Sequence, residues 1–179
     1  MTRRRLAGIA ALALLAATAR PAQAKSGAEL GADVLQLALP AVGLGAAAAG
    51  SDWEGAGQLA RSSSSALALT YVLKLSIDAR RPDGGGESFP SGHTAAAFAG
   101  ASFLTRRYGL RVGLPALGAA SFVAWSRVHT RDHHVRDVAA GAGISILSAL
   151  LLVQPLPDGL QLLPSAGDGW LGVRVGGQF

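Results

Sequence analysis

The sequence has no cysteine. That excludes a disulfide framework, a thiolate metal site and a cysteine nucleophile, and it is compatible with any compartment. Charge is scarce as well: Asp, Glu, Lys and Arg make up 15% of the 179 residues, against 50% hydrophobic residues. Such a balance is too apolar for a disordered chain and unusual for a small soluble domain. The length suits one domain with a core of its own. Acidic residues are missing altogether from Met1 to Ala24, a stretch that holds Arg3, Arg4, Arg5 and Arg20. Without that stretch Lys+Arg falls from 16 to 12 against 11 Asp+Glu, a net charge of +1. The basic pI of about 10.7 is therefore no sign of a polycation, and nucleic-acid binding is not expected. Internal repeats are also absent, and so is any long apolar run free of interruption.

What the chain has instead is a series of interrupted apolar blocks. Residues 1–24 read as an export signal: Arg3-Arg4-Arg5 is the positive start, Leu6 to Ala19 the apolar stretch, and Ala22-Gln23-Ala24 an A-x-A cleavage pattern. The alternative is an uncleaved first membrane helix, for which the stretch is short, since a span needs about 20 apolar residues. Further apolar blocks follow at Gly31–Gly50, with Asp33, Gln36 and Pro40 inside, and at Leu59–Ile77, with a serine run at Ser62–Ser65. The run reads as a small-residue helix face. Helices are expected next at Thr94–Leu104, Val112–Trp125 and Val138–Val153. Residues 25–153 thus form the helical domain and 154–179 a Pro/Gly-rich tail, whose end, Trp170 to Val175, alternates like a short strand. Several blocks are apolar all round rather than striped, which favours a membrane. With Lys25 outside the cytoplasm, the connection carrying Arg106, Arg107 and Arg111 falls inside, as the positive-inside rule asks.

The chemistry concentrates at Pro90-Ser91-Gly92-His93 and in the two outer connections. Ser91 reads as a helix N-cap, and the first amides of that helix form an anion site that Gly92 lets a ligand approach. His93 stands beside it with a group that titrates near neutrality. Alone, this tetrapeptide reads as a capped helix with a surface histidine, and the basic and histidine-containing segments on both sides change that reading. Lys74 and Arg81-Pro82 precede it, and Ser126-Arg127-x5-His133-x3-Asp137 follows. On a helix His133 and Asp137 would share a face, and the carboxylate could accept an imidazole N–H. The cluster of His129, His133, His134 and Asp137 also admits a metal, although the arginines crowding it would repel a cation. Fixed cations and amide donors suit a phosphoryl group in transfer, with one histidine to attack phosphorus and the other to protonate the leaving oxygen.

Lys74-x6-Arg81-Pro82, Pro90-Ser91-Gly92-His93 and Ser126-Arg127-x5-His133-x3-Asp137 together resemble the three-part signature of the type 2 phosphatidic acid phosphatase family, which shares its site with vanadium haloperoxidases and class A acid phosphatases. Residue types, spacings and order all match across Lys74 to Gly141. The resemblance implies that His133 is the nucleophile forming a phosphohistidine and that Asp137 orients it. It makes His93 the general acid, and gives Lys74, Arg81, Ser91, Gly92 and Arg127 the phosphate oxygens. It implies no metal and no cofactor. His129 stands where relatives often have an aromatic residue, and His134 and Arg136 where a proline-containing turn is frequent, which bears on substrate preference. The expected fold is all-α, a membrane-embedded bundle of about five to six helices with the active site at the helix ends. The leader would supply the sixth helix, since membrane members usually have six spans. The expected protein is a lipid phosphatase of the bacterial inner membrane, facing the periplasm. Its partners would be the membrane and a phosphorylated lipid: phosphatidate, phosphatidylglycerol phosphate, undecaprenyl pyrophosphate or a lipid A phosphate. A soluble periplasmic acid phosphatase for small phosphomonoesters would share the motif. A haloperoxidase or a non-catalytic lipid binder on the same fold are further alternatives.

Overall fold

The computed structural model describes residues 25–156, 161–167 and 170–176, with side chains over 25–156. The leader at 1–24 lies outside the described residues. Five helices follow: α1 (Gly27–Ala49), α2 (Trp53–Ser76), α3 (Gly92–Tyr108), α4 (Leu110–His129) and α5 (Val135–Leu152). Each start has a local cause. Ser26 and Glu29 form a reciprocal capping box, which begins α1 four residues before the apolar block at Gly31. Asp52 accepts from the Gly55 amide at 2.9 Å and starts α2 inside the polar break. Gly109, at φ 85°, separates α3 from α4 with a single residue. Two boundaries differ from expectation in ways that bear on the site. Helix α4 runs on to His129, so Arg127 sits in a helix turn rather than in a loop. Helix α5 begins at Val135, so His133 precedes it and shares no helix with Asp137.

Helix α3 is the hub, packed against α1, α2, α4 and α5. Its alanine-rich sequence makes this possible, since Ala95, Ala97, Ala99 and Ala101 are all buried without demanding room. At Gly100 a Cβ would stand 2.4 Å from the Leu39 carbonyl carbon and the Pro40 nitrogen, so only glycine allows this approach of α1. Helix α2 turns a narrow stripe inward, Leu59, Ser62, Ala66 and Thr70, and the serine run does contribute a small residue to a packing face. The outward surface is apolar. Leu37 on α1, Leu75 on α2, Leu114 on α4 and Leu151 on α5 are each more than 60% exposed. Helices α1 and α5 are long and apolar enough to cross a bilayer, and at about 1.5 Å per residue α1 would span its hydrocarbon core. Among the described residues these two helices are the candidate membrane spans.

At the end away from the motifs, Arg107 ties the connections together. Its Nε donates to Asp52 Oδ2 at 2.8 Å and its Nη1 to the Gln154 carbonyl at 3.0 Å. Beyond the bundle, β1 (Gln161–Gly167) and β2 (Trp170–Gly176) form an antiparallel hairpin, with Gln161 opposite Gly176 and Gly167 opposite Trp170. The strand-like end of the chain therefore pairs within the tail itself.

Candidate functional site

The remaining ends bring the motif residues together. Lys74 comes from the last turn of α2, Arg81 from the following connection, and Gly92 and His93 from the start of α3. Arg127 comes from the last turn of α4, His133 from the connection after it, and Asp137 from the first turn of α5. Helix α5 fixes the start of α3. The Ser91 amide donates to the Asp137 carbonyl at 3.0 Å, Ser145 Oγ donates to the Ala95 carbonyl at 2.7 Å, and Gly141 leaves room for the Ser91 carbonyl. A cavity of about 690 Å³ is lined by Lys74, Arg81, Gly92, His93 and His133, and continues past Ala96 to Gln36, Leu67 and Tyr71 between α1 and α2. A smaller polar one of about 230 Å³ shares Arg81, His93 and His133 and adds Lys25, Arg127 and Asp132.

Ser91 is fully buried, with Oγ accepting from the Thr94 amide at 3.4 Å and from Thr94 Oγ1 at 3.1 Å. Its amide and its side chain are thus both occupied, and its observed part is to cap α3. Gly92 and His93 then carry the unpaired amides of a helix start. A Cβ on Gly92 would meet nothing within 4 Å, so the cavity is open at this point. Lys74 Nζ donates to the Glu87 carbonyl at 2.8 Å, which holds the ammonium in the site instead of snorkelling away. Arg81 Nε and Arg127 Nε are buried with no hydrogen-bond partner among the described residues. Two guanidinium donors are therefore available to an anion.

His133 is 3% exposed. Burial, and then the Arg81 and Lys74 cations, push its pKa down to about 4, so the imidazole is neutral at physiological pH. Its Nδ1 lies 3.7 Å from Asp137 Oδ2, outside hydrogen-bond range, and has no other partner among the described residues. Asp137 Oδ2 instead accepts from Ser88 Oγ and from the His134 amide at 2.9 Å. The expected contact of Asp137 with His133 is thus close but unmade, because Asp137 is also the first-turn acceptor of α5. His129 stacks on Trp125 with ring centroids 4.7 Å apart. Among the described residues no three His, Asp or Glu side chains are grouped to hold a metal.

Helices that converge on two histidines, unpartnered guanidinium N–H groups and an open helix start have a counterpart among known families. The PAP2 superfamily profile matches residues 9–158. The chain belongs to the PAP2 superfamily. A lipid A 1-phosphatase of Porphyromonas gingivalis is 41% identical over 78 residues, which make up 41% of this chain and 18% of that protein. A lipid A 4'-phosphatase of Helicobacter pylori is 31% identical over 106 residues, 52% of this chain and 54% of that protein. The chain spans about half the length of the second relative and less of the first. The crystal structure of Aquifex aeolicus LpxE shares the fold, with a TM-score of 0.55 at 23% identity over 68% of this chain and 84% of that one.

Within this PAP2 site, two residues escaped the sequence reading. Ser88 is fully buried and donates to Asp137, yet nothing marks it in a polar loop, because its partner lies 49 residues away. Asp33 is the other, and its signal was present, since an acid inside an apolar helix is costly without a purpose. Ser88→Ala would leave the Asp137 carboxylate short of one donor. The expected loss is about 1–3 kcal/mol of stability, the usual cost of an unsatisfied buried group, read as a lower thermal midpoint in detergent.

Proposed function

We propose that this protein hydrolyses a phosphomonoester or pyrophosphate of a lipid through a phosphohistidine on His133, at the periplasmic face of the bacterial inner membrane. The observation that carries this reading is the larger cavity, which runs from the two histidines past Ala96 to Leu67 between α1 and α2. A phosphate bound at its polar end would leave the lipid portion at the apolar, membrane-facing end. In the first step His133 Nε2 forms a bond to phosphorus as the bond to the lipid oxygen breaks, and His93 gives its proton to that oxygen. Water then attacks the phosphohistidine and returns a proton to His93, freeing His133 and inorganic phosphate. Lys74, Arg81, Arg127 and the Gly92 amide hold the equatorial oxygens, where charge grows. The two relatives named as lipid A phosphatases support a lipid A phosphate as the substrate to try first.

The test is phosphate release in detergent from lipid A, phosphatidate, phosphatidylglycerol phosphate and undecaprenyl pyrophosphate. Release from none of them sinks the lipid reading, and recovery of the protein in the soluble periplasm without detergent sinks the membrane one.

The nucleophile should also resist acid. Its pKa is lowered from the ordinary 6.5 to about 4, so His133 should stay neutral through pH 5 and charge only as the pH falls through about 4. The unfolded chain binds that proton near 6.5. This group's contribution to stability is therefore intact above that pH and is lost as the pH drops towards 4. Histidine-labelled NMR in micelles checks the titration. Lys74→Met, by removing a repelling cation, should move it upward.

A further inference from the structure

We propose that Asp33 is a positioning residue for proton transfer, a carboxylate on α1 that orients His93 and Arg127 towards one phosphoryl group; this rests on the function proposed above. Asp33 Oδ1 lies 3.4 Å from His93 Nε2 and 3.2 Å from Arg127 Nη2, in ion-pair range but hydrogen-bonded to neither among the described residues, while Oδ2 accepts from Lys25 Nζ at 2.6 Å. One carboxylate, about one-fifth exposed, thus meets the proposed general acid, a proposed phosphate-holding guanidinium and the Lys25 ammonium from before α1. None of the family-like motifs contains it, and its nearest motif residue in sequence is Lys74.

The chemistry follows from what a general acid needs. His93 must carry two ring protons before it can lose one. A carboxylate against Nε2 favours the imidazolium and holds that N–H in place, so the other ring nitrogen gives its proton to the leaving oxygen. After transfer the neutral ring keeps its Nε2 proton on Asp33, ready to take one back from the attacking water. Asp33 itself gains no proton in either step. The same carboxylate lies in ion-pair range of Arg127, whose Nη2 donates to the Glu29 carbonyl at 3.2 Å and whose Nη1 donates to Asp132 Oδ2 at 3.3 Å. That leaves Arg127 Nε, buried and unpartnered among the described residues, as the guanidinium atom without a protein acceptor. Burial, and then Arg127 from α4 and Lys25 from before α1, hold the His93 pKa below the ordinary 6.5, against the opposing pull of Asp33 from α1 and Asp132 from the connection after α4. Lys74, Arg81 and His133 line the same cavity. Of the two acids acting on it, Asp33 is the one in ion-pair reach of the ring.

The test compares wild type with Asp33→Asn, Asp33→Glu and Lys25→Met in the full chain. Two readouts are used: turnover against pH, with a lipid phosphate and with p-nitrophenyl phosphate, and the His93 ring titration by NMR. Asp33→Asn should lower turnover of the lipid phosphate about 10- to 100-fold, a share of the 10²–10⁴ that general acid catalysis contributes. p-Nitrophenyl phosphate, whose leaving group needs little protonation, should lose less. The basic limb and the His93 titration should both move about one pH unit lower, and Asp33→Glu should restore them in part. Lys25→Met removes a cation that competes for Asp33, so it should move both upward, which damage to the fold would not do. Equal losses for both leaving groups with an unmoved His93 titration would overturn the proposal. If wild type turns over neither substrate, the proposed function fails, and the His93 titration in the Asp33 variants still decides this contact.

Discussion

His133→Ala yields no trapped phosphoenzyme with any substrate, and turnover falls by about 10⁴–10⁶-fold, as when an enzyme loses its attacking atom. His93→Ala should fail differently, because it removes a proton donor and not a nucleophile. With p-nitrophenyl phosphate part of the covalent step should survive, and labelled phosphate should still be trapped on His133. With a lipid phosphate, whose alkoxide must be protonated as it leaves, the loss should reach about 10²–10⁴-fold. The geometry bears on this contrast. His133 is 3% exposed and neutral, as a nucleophile must be, whereas the His93 side chain is 40% exposed and lines the same cavity. Acid-quenched trapping beside turnover, with folding checked for each variant, decides the roles. Phosphate trapped in His133→Ala and lost in His93→Ala would reverse them.

Gly141→Ala should damage the site through a single methyl. A Cβ at Gly141 would stand 2.5 Å from the Ser91 carbonyl oxygen and 3.3 Å from the Ala95 nitrogen. Both are backbone atoms of a capped helix start, which cannot rotate away as a side chain could. The start of α3 must therefore shift relative to α5, carrying Gly92 and His93 away from His133. Overpacking of this kind costs about 1–3 kcal/mol, and a displacement near 1 Å at reacting groups can cost about 10²-fold in rate. Gly143→Ala is the control, two residues on in the same helix. A Cβ there meets nothing within 4 Å, and alanine favours helix over glycine by about 1 kcal/mol. Thermal midpoint and phosphate release for the two variants should diverge. Equal behaviour would mean that the α3–α5 contact does not set the site.

The sequence by itself determined the chemical inventory of this protein and most of its helices. Lys74, Arg81, His93, Arg127 and His133 stand at spacings that require no long-range information to read, and apolar blocks bounded by polar breaks and glycines announce their helices. These are local signals, set by periodicity, capping and residue type. Even there a local sign was passed over, since the Ser26–Glu29 capping box marks the start of α1. Only the tertiary structure decided which atoms are free to act. Ser91 looks like an anion donor from its place before a helix, yet its amide is taken by the Asp137 carbonyl, 46 positions along the chain. Asp137 looks like the partner of His133 four residues before it, yet α5 begins between them and its first turn, together with Ser88, claims the carboxylate. Asp33 meets His93 and Arg127 because α1 packs on both α3 and α4. Each of these outcomes depends on two segments competing for one polar group, and the winner is set by how closely small residues let the helices approach. Spacing along one segment carries no record of that distance.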